Sequence, residues 1–290
     1  MLIRGLLSLL LCVGIAAFAH GQEPSASAIS ESNNPLSDLI GIDFNNYFVP
    51  SLYGLEATAN VMNIQGVFVP IQRHLFLDHI VRATMPVVTT PVSDAEYASG
   101  FGDFNIFDAF KFSKPEAKTE FGVGPLLVIP TASDDALGAG KWQLGAAVVV
   151  VRLMEGGSVA GALLTWQTDI AGDADREGTN LLTFQPNLAL AIGRSGFYFS
   201  SSPIWTFDLE NDNYLIPFSV GFGKVLTAGH AIVNVSAESQ FSIYHRGEPQ
   251  PSLQIYGAMQ LQWKREGKPR PSYRTPLTPE TARTRTQSRP

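Results

Sequence analysis

Between about residue 42 and Trp263 the chain is built from extended segments with one apolar and one polar face. Thr183, Gln185 and Asn187 oppose Leu182, Phe184, Leu188, Leu190 and Ile192. Asn234, Ser236, Glu238 and Gln240 oppose Val233, Val235, Ala237, Phe241 and Ile243. Gln254, Tyr256, Gln260 and Gln262 oppose Leu253, Ile255, Met259, Leu261 and Trp263. Successive side chains of a strand point to opposite faces, so each segment has an oily side and a wet side. A soluble sandwich alternates in the same way. Strand length and context separate the two: these segments reach the roughly 9–11 residues a tilted strand needs to cross a bilayer, and the chain opens with an export signal.

The pattern predicts an all-β, antiparallel transmembrane barrel of the bacterial outer-membrane type, with strands near 42–50, 58–70, 75–87, 101–112, 118–130, 141–152, 158–170, 179–192, 196–208, 214–226, 230–243 and 252–263. That is twelve strands, with ten as the alternative, and an even count suits a bacterial barrel. Between them, Ile71–His74, Ser113–Ala117, Glu155–Gly157, Gly193–Ser195 and Thr227–Gly229 read as tight turns. Thr89–Gly100, Thr131–Gly140, Ala171–Gly178, Leu209–Asn213 and Tyr244–Pro251 read as longer loops. Short turns on the periplasmic side and longer loops outside are what such barrels show. Trp142, Trp205 and Trp263, near strand ends, are expected in the aromatic girdles.

Arg4, the apolar run from Leu6 to Phe18 and the small residues Ala17, Ala19 and Gly21 read as a signal peptide over residues 1–21. A polar lead-in covers 22–41, of which Gln22–Ser37 is expected to be mobile; the barrel proper is 42–263, and 264–290 is a basic, Pro-rich tail expected to be disordered. Cys12 lies inside the signal, so the mature chain has no thiol and neither thiolate catalysis nor disulfides are available to it. Charged residues make up 16% of the chain, against roughly 25% in soluble proteins, as expected of a wall that faces lipid. The net charge of −6 hides an asymmetry: the tail carries +6 and Arg4 +1, so residues 22–263 carry −13. An acidic body argues against nucleic acid as a partner.

Little catalytic chemistry is legible. Gly138-Ala139-Gly140-Lys141 lacks the first glycine of a phosphate loop, at Asp135, and the Ser or Thr after the lysine, at Trp142. The predicted outer loops are acidic (Asp94, Glu96, Asp134, Asp135, Asp173, Asp175, Glu177, Glu210 and Asp212), which suits solvation or loose divalent bridging to lipopolysaccharide. His74, His79, His230 and His245 have no metal-ligand spacing, and no serine is spaced to make His245 part of a lipase-like site. No cofactor and no enzymatic activity are expected.

The order Asn33-Asn34-Pro35-Leu36-Ser37-Asp38-Leu39-Ile40, Asn45-Asn46-Tyr47, Gly100-Phe101-Gly102-Asp103, Gly122-Val123-Gly124-Pro125, Ile129-Pro130-Thr131-Ala132, Leu137-Gly138-Ala139-Gly140-Lys141-Trp142, Phe184-Gln185-Pro186 and Ile216-Pro217 with Gly221 resembles the outer-membrane proteins grouped with the meta-cleavage pathway of phenol degradation. The resemblance runs through nearly the whole mature chain up to Trp263. It implies an outer-membrane barrel and uptake of a small solute, aromatic compounds among the candidates, and it carries over no catalytic residue. Such barrels end at or just after a last aromatic residue, whereas residues 264–290 follow Trp263 here.

The candidate lumen-lining residues are Asp103, Asn105, Lys118, Glu120, Gln167, Asp169, Gln185, Asn187, Asn234, Glu238 and Gln240. Their charges are mixed rather than arranged in rings of one sign, so strong ion selectivity is not expected. The expected function is passive transport of a small organic solute across the outer membrane. A structural or adhesive barrel without transport is the second reading, and an outer-membrane lipid-modifying enzyme the third. Expected partners are outer-membrane lipids, lipopolysaccharide, the barrel-assembly machinery and the solute.

Overall fold

The computed structural model describes residues 23–70, 78–93, 96–113 and 117–264; the predicted signal peptide and the tail beyond Lys264 lie outside the described residues. Helix α1 (Ala26–Asn33) precedes fourteen strand segments: β1 (Leu39–Tyr53), β2 (Ala59–Phe68), β3 (Asp78–Pro91), β4 (Tyr97–Phe101), β5 (Phe104–Lys111), β6 (Thr119–Ile129), β7 (Lys141–Leu153), β8 (Val159–Gly172), β9 (Asn180–Ala191), β10 (Phe197–Ser201), β11 (Trp205–Asp208), β12 (Asn213–Ala228), β13 (Ala231–Arg246) and β14 (Gln250–Lys264). β4 and β5 both pair with β3, and β10 and β11 both lie between β9 and β12, so each couple is one interrupted stave. The result is a closed antiparallel barrel of twelve staves, sealed where β1 pairs with β14. Closure leaves no free sheet edge, the condition for a sheet in lipid.

The interruption between β10 and β11 has a local cause. Pro203 has no N–H to give a ladder and sits in the gap between β10 and β11. Side chains take over there: the Ser202 N–H donates to Ser219 Oγ and to Glu238 Oε2, each at 3.0 Å. At the other break, between Phe101 and Phe104, the Gly102 N–H still reaches Pro86 O at 2.9 Å.

The predicted sorting of loops into short and long holds only in part: the turns at Glu155–Gly157, Gly193–Ser195 and Thr227–Gly229 are tight, and Ile71–His74 and most of Ser113–Ala117 lie outside the described residues. Thr89–Gly100, Leu209–Asn213 and Tyr244–Pro251 shrink to residues 92–96, Leu209–Asp212 and Gly247–Pro249, because the flanking strands run on into them. Their polar residues read as loop, yet strands that continue past the apolar band are wetted on both faces and need no alternation. Only Pro130–Gly140 and Asp173–Thr179 remain long on that side.

The alternation itself holds. The outer wall exposes Phe121, Val148, Leu164, Trp166, Leu190, Phe199, Phe222 and Ile255 among many large apolar side chains. Trp142 lies at the end carrying the Pro130–Gly140 loop, and Trp263 at the end where the strands begin and finish; both are exposed. Asn46 and Asn60 depart from the pattern on the outer face, and they satisfy one another in two reciprocal 3.0 Å hydrogen bonds.

The lead-in was expected to be mobile; from Ala26 it is instead folded into the barrel. Ser25 caps α1 by accepting the Ala28 N–H at 3.1 Å. Ala28, Ile29 and Leu36 pack with Ile80, Ala109, Val149, Val151, Val159, Ala189, Val225 and Ile232, inward residues near the end where both termini of the barrel lie. An eight-residue helix is marginal alone. Its stability comes from this packing, at about 1.5–3 kcal/mol for each large apolar side chain fully buried. Polar ties complete the plug: Gln262 Nε2 to Ser32 O at 3.2 Å, Asn234 Nδ2 to Asn33 Oδ1 at 3.1 Å, Asn34 Nδ2 to Glu120 Oε2 at 2.8 Å, Arg82 Nη2 to Pro35 O at 3.1 Å and Lys111 Nζ to Leu36 O at 2.8 Å.

Candidate functional site

Above this plug the staves enclose a cavity of about 630 Å³. Its wall is polar where the inward positions alternate with the oily exterior: Asn63, Gln65, Thr84, Gln143, Thr183 and Gln260 all contribute. Many of these side chains pair with one another across strands. Gln167 donates to Gln143 at 2.7 Å, Thr165 and Thr183 hydroxyls meet at 2.6 Å, Tyr256 Oη donates to Asn45 at 3.0 Å, and Tyr198 Oη to Asn234 at 2.7 Å. Such ladders satisfy part of the wall internally and leave a hydrogen-bonding surface with Asp43, Arg82 and Asp103 as charged members.

The sequence-predicted residues divide into three groups. Asp103, Asn105, Gln167, Gln185, Asn187 and Asn234 line the cavity. Glu120, Glu238 and Gln240 are buried inside the barrel but engaged elsewhere. Glu120 accepts from Asn34 and pairs with Lys111 at 3.1 Å, holding the plug. Glu238 accepts from Ser202 Oγ at 2.8 Å, from the Ser202 N–H, from Gln240 Nε2 at 3.4 Å and from Ser200 Oγ, so it repairs the break at Pro203. Lys118 and Asp169 do not line the cavity: Lys118 is exposed at the rim of the plugged end, and Asp169 accepts the Thr179 N–H at 2.6 Å to fasten the far loop Asp173–Thr179. Asp43, Asn45, Tyr47, Thr84 and Ser200 line the cavity and were missed. Their strand parity was the available signal: Asp43, Asn45 and Tyr47 alternate along β1, Thr84 lies two residues from Arg82 on β3, and Ser200 two residues from Tyr198 on β10.

Asp103 has a further job. Its carboxylate accepts the Ala132 N–H at 3.1 Å and the Ala139 N–H at 2.7 Å, which draws the Pro130–Gly140 loop inward until Leu137 lines the cavity. Arg176 braces the same loop by donating to Asp135 O at 2.7 Å and to Gly138 O. The glycine at 138 is required by close approach: a Cβ there would meet the Asp103 carboxylate and Ala132. The Gly-Ala-Gly-Lys stretch therefore serves an inward-folded loop. Replacing Asp103 with Ala removes two charge-assisted hydrogen bonds, each worth about 1.5–3 kcal/mol. The loop is expected to loosen, which limited proteolysis within 130–140 would report as faster cleavage in lipid-embedded protein.

The remaining candidates form no reaction centre. His79 Nδ1 meets both carboxylate oxygens of Asp108 at 2.8 and 2.9 Å and stacks on Phe110. His245 stacks on Tyr53 with centroids 3.7 Å apart. Among the described residues no three His, Cys, Asp or Glu side chains converge as a metal site would require, and no helix is long and apolar enough to cross a membrane.

No family model and no curated sequence matches the chain. Among solved structures it is similar to the COG4313 outer membrane channel from Pseudomonas putida F1, with a TM-score of 0.57 and 13% identity, over 78% of this chain and 95% of that one. The shared feature is the fold: this chain has the barrel architecture of an outer-membrane channel.

Proposed function

We propose that the protein is an outer-membrane channel for passive uptake of a small organic solute, with the plugged end facing the periplasm. One observation carries the reading: a closed barrel, oily outside, encloses a polar-walled cavity of about 630 Å³ that no soluble role requires. That volume sits in the range of small-molecule sites, roughly 300–1,000 Å³. The wall sets Asp43, Arg82 and Asp103, charges of both signs, among neutral hydrogen-bonding groups, which favours solutes without net charge over ions of one sign, and the likeness to an outer membrane channel supports the same reading. An aromatic solute rests on the sequence resemblance to the phenol-pathway proteins. The acidic far loops, among them Asp134, Asp135, Asp173, Asp175 and Glu210, would face the lipopolysaccharide and meet it through divalent cations. Lys224, stacked over Phe197 at 4.1 Å on the outer wall near the plugged end, suits the opposite headgroup layer.

Planar-bilayer recording tests transport directly. Discrete conductance steps, and swelling of liposomes in small uncharged solutes, are the expected results. A barrel that inserts yet stays silent, even after removal of residues 23–36, would favour the structural or adhesive reading instead.

A further inference from the structure

Many buried polar groups of the inner wall are paired, and the buried exceptions lie along one stretch of it. Among the described residues, four buried side-chain atoms lack a hydrogen-bond partner: Ser32 Oγ, Asp43 Oδ1, Arg82 Nε and Gln262 Oε1. All four residues line the cavity. They come from α1, β1, β3 and β14, and the register brings them together. Gln262 faces Gly41, Gly41 faces Val67 and Val67 faces Arg82; one pleat further along β1, Asp43 sits between Gln260 and Gln65. Gln262 and Arg82 each hold the plug with another atom, through Ser32 O and Pro35 O. Ser32 and Asp43 are 4% exposed and Gln262 8%. A buried polar atom left unpaired costs about 1–3 kcal/mol, more for a charge, so four in one panel require a reason.

The geometry points to a recognition site, at the junction of plug and wall, for the zwitterionic head of a small α-amino acid. Asp43 on β1 and Arg82 on β3 flank β2 with opposite charges, yet Asp43 Oδ1 and Arg82 Nε are each left without a hydrogen-bond partner. A lone anion would gain Arg82 and be repelled by Asp43; a lone cation would meet the reverse. A head with both charges satisfies both. Arg82 Nε–H donates to its carboxylate, while Asp43, Gln262 and Ser32 supply three acceptors for the three N–H bonds of an ammonium. Phe107, with the Arg82 guanidinium 5.7 Å from its ring, together with Leu39 and Val67, offers apolar surface beside the head for a side chain. The site deepens the channel reading and rests on it, since the solute would reach the panel through the barrel.

Calorimetry on the detergent-purified mature protein tests this with L-phenylalanine, 3-phenylpropionate and phenethylamine, which share a ring and differ in the head. Phenylalanine is expected to bind at least about tenfold more tightly than either half-ligand, the loss for one charged contact. Asp43→Asn, nearly isosteric and removing no hydrogen bond within the protein, is expected to weaken phenylalanine by a similar factor and leave 3-phenylpropionate no weaker. Equal binding of the three probes, no heat with phenylalanine, or an unchanged Asp43→Asn protein would overturn the site, a panel filled by water being the result then shown. The wild-type comparison of the three probes decides the matter even if the variant does not fold. Conductance without selective phenylalanine binding would leave the channel and remove the site. Selective binding to a barrel that stays silent without its plug would leave the site and remove the channel.

Discussion

Deleting residues 23–36 is expected to raise single-channel conductance at least about threefold while the barrel still inserts. The wall does not depend on the plug: every stave is hydrogen-bonded to two others, and β1 closes on β14 without help from α1. What the plug does is fill the lumen at one end, where Ala28, Ile29 and Leu36 meet an apolar ring. A twelve-stave barrel lies between small barrels filled by side chains and large ones that hold water, so its own side chains do not close it and the inserted segment decides. A point change should approach the same result. Ile29→Asp would place an unpartnered carboxylate among Val149, Val151 and Val225, a cost of several kcal/mol that expulsion of the helix relieves. Recording both proteins in planar bilayers checks this; conductance equal to that of the intact chain would mean that the helix does not obstruct the path.

The second large effect separates the two faces of the wall. Leu188→Arg or Val235→Arg sets a charge on the lipid side and is expected to cost about 2–4 kcal/mol near the midplane. Their sequence neighbours Asn187 and Ser236 line the cavity, and Arg there meets water and polar partners, so the loss is expected to be smaller. Urea unfolding of the four proteins in lipid vesicles reads the difference. Equal losses at both kinds of position would contradict the register, because a slip of one residue exchanges the faces.

The wall was legible from sequence because lipid on one side and polar groups on the other impose a period of two, and Thr183 to Ile192 shows it plainly. Three features were not. The strand extensions through His245, Arg246 and Gln250 look like loop because nothing apolar marks them once they leave the membrane band. The plug was invisible because its helix offers only Ala28 and Ile29 as apolar contacts, and its anchors, Arg82 and Lys111, lie far along the chain and bind backbone carbonyls, which leave no pattern in sequence. The charges inside the barrel were located but their tasks were not. Glu238 looked like a lumen charge, yet it is consumed by the strand break at Pro203; Asp103 lines the cavity and also anchors a loop. Asp43 escaped notice altogether, being a single acidic residue near the start of a strand.

The central claim is that this chain spans the outer membrane as a closed barrel. Fractionation with heat-modifiable electrophoresis tests it most directly. The account predicts recovery in the outer-membrane fraction, extraction only by detergent, and faster migration of the unboiled protein than of the boiled one. Recovery as a soluble periplasmic monomer, without detergent and without a heat-dependent shift, would contradict it.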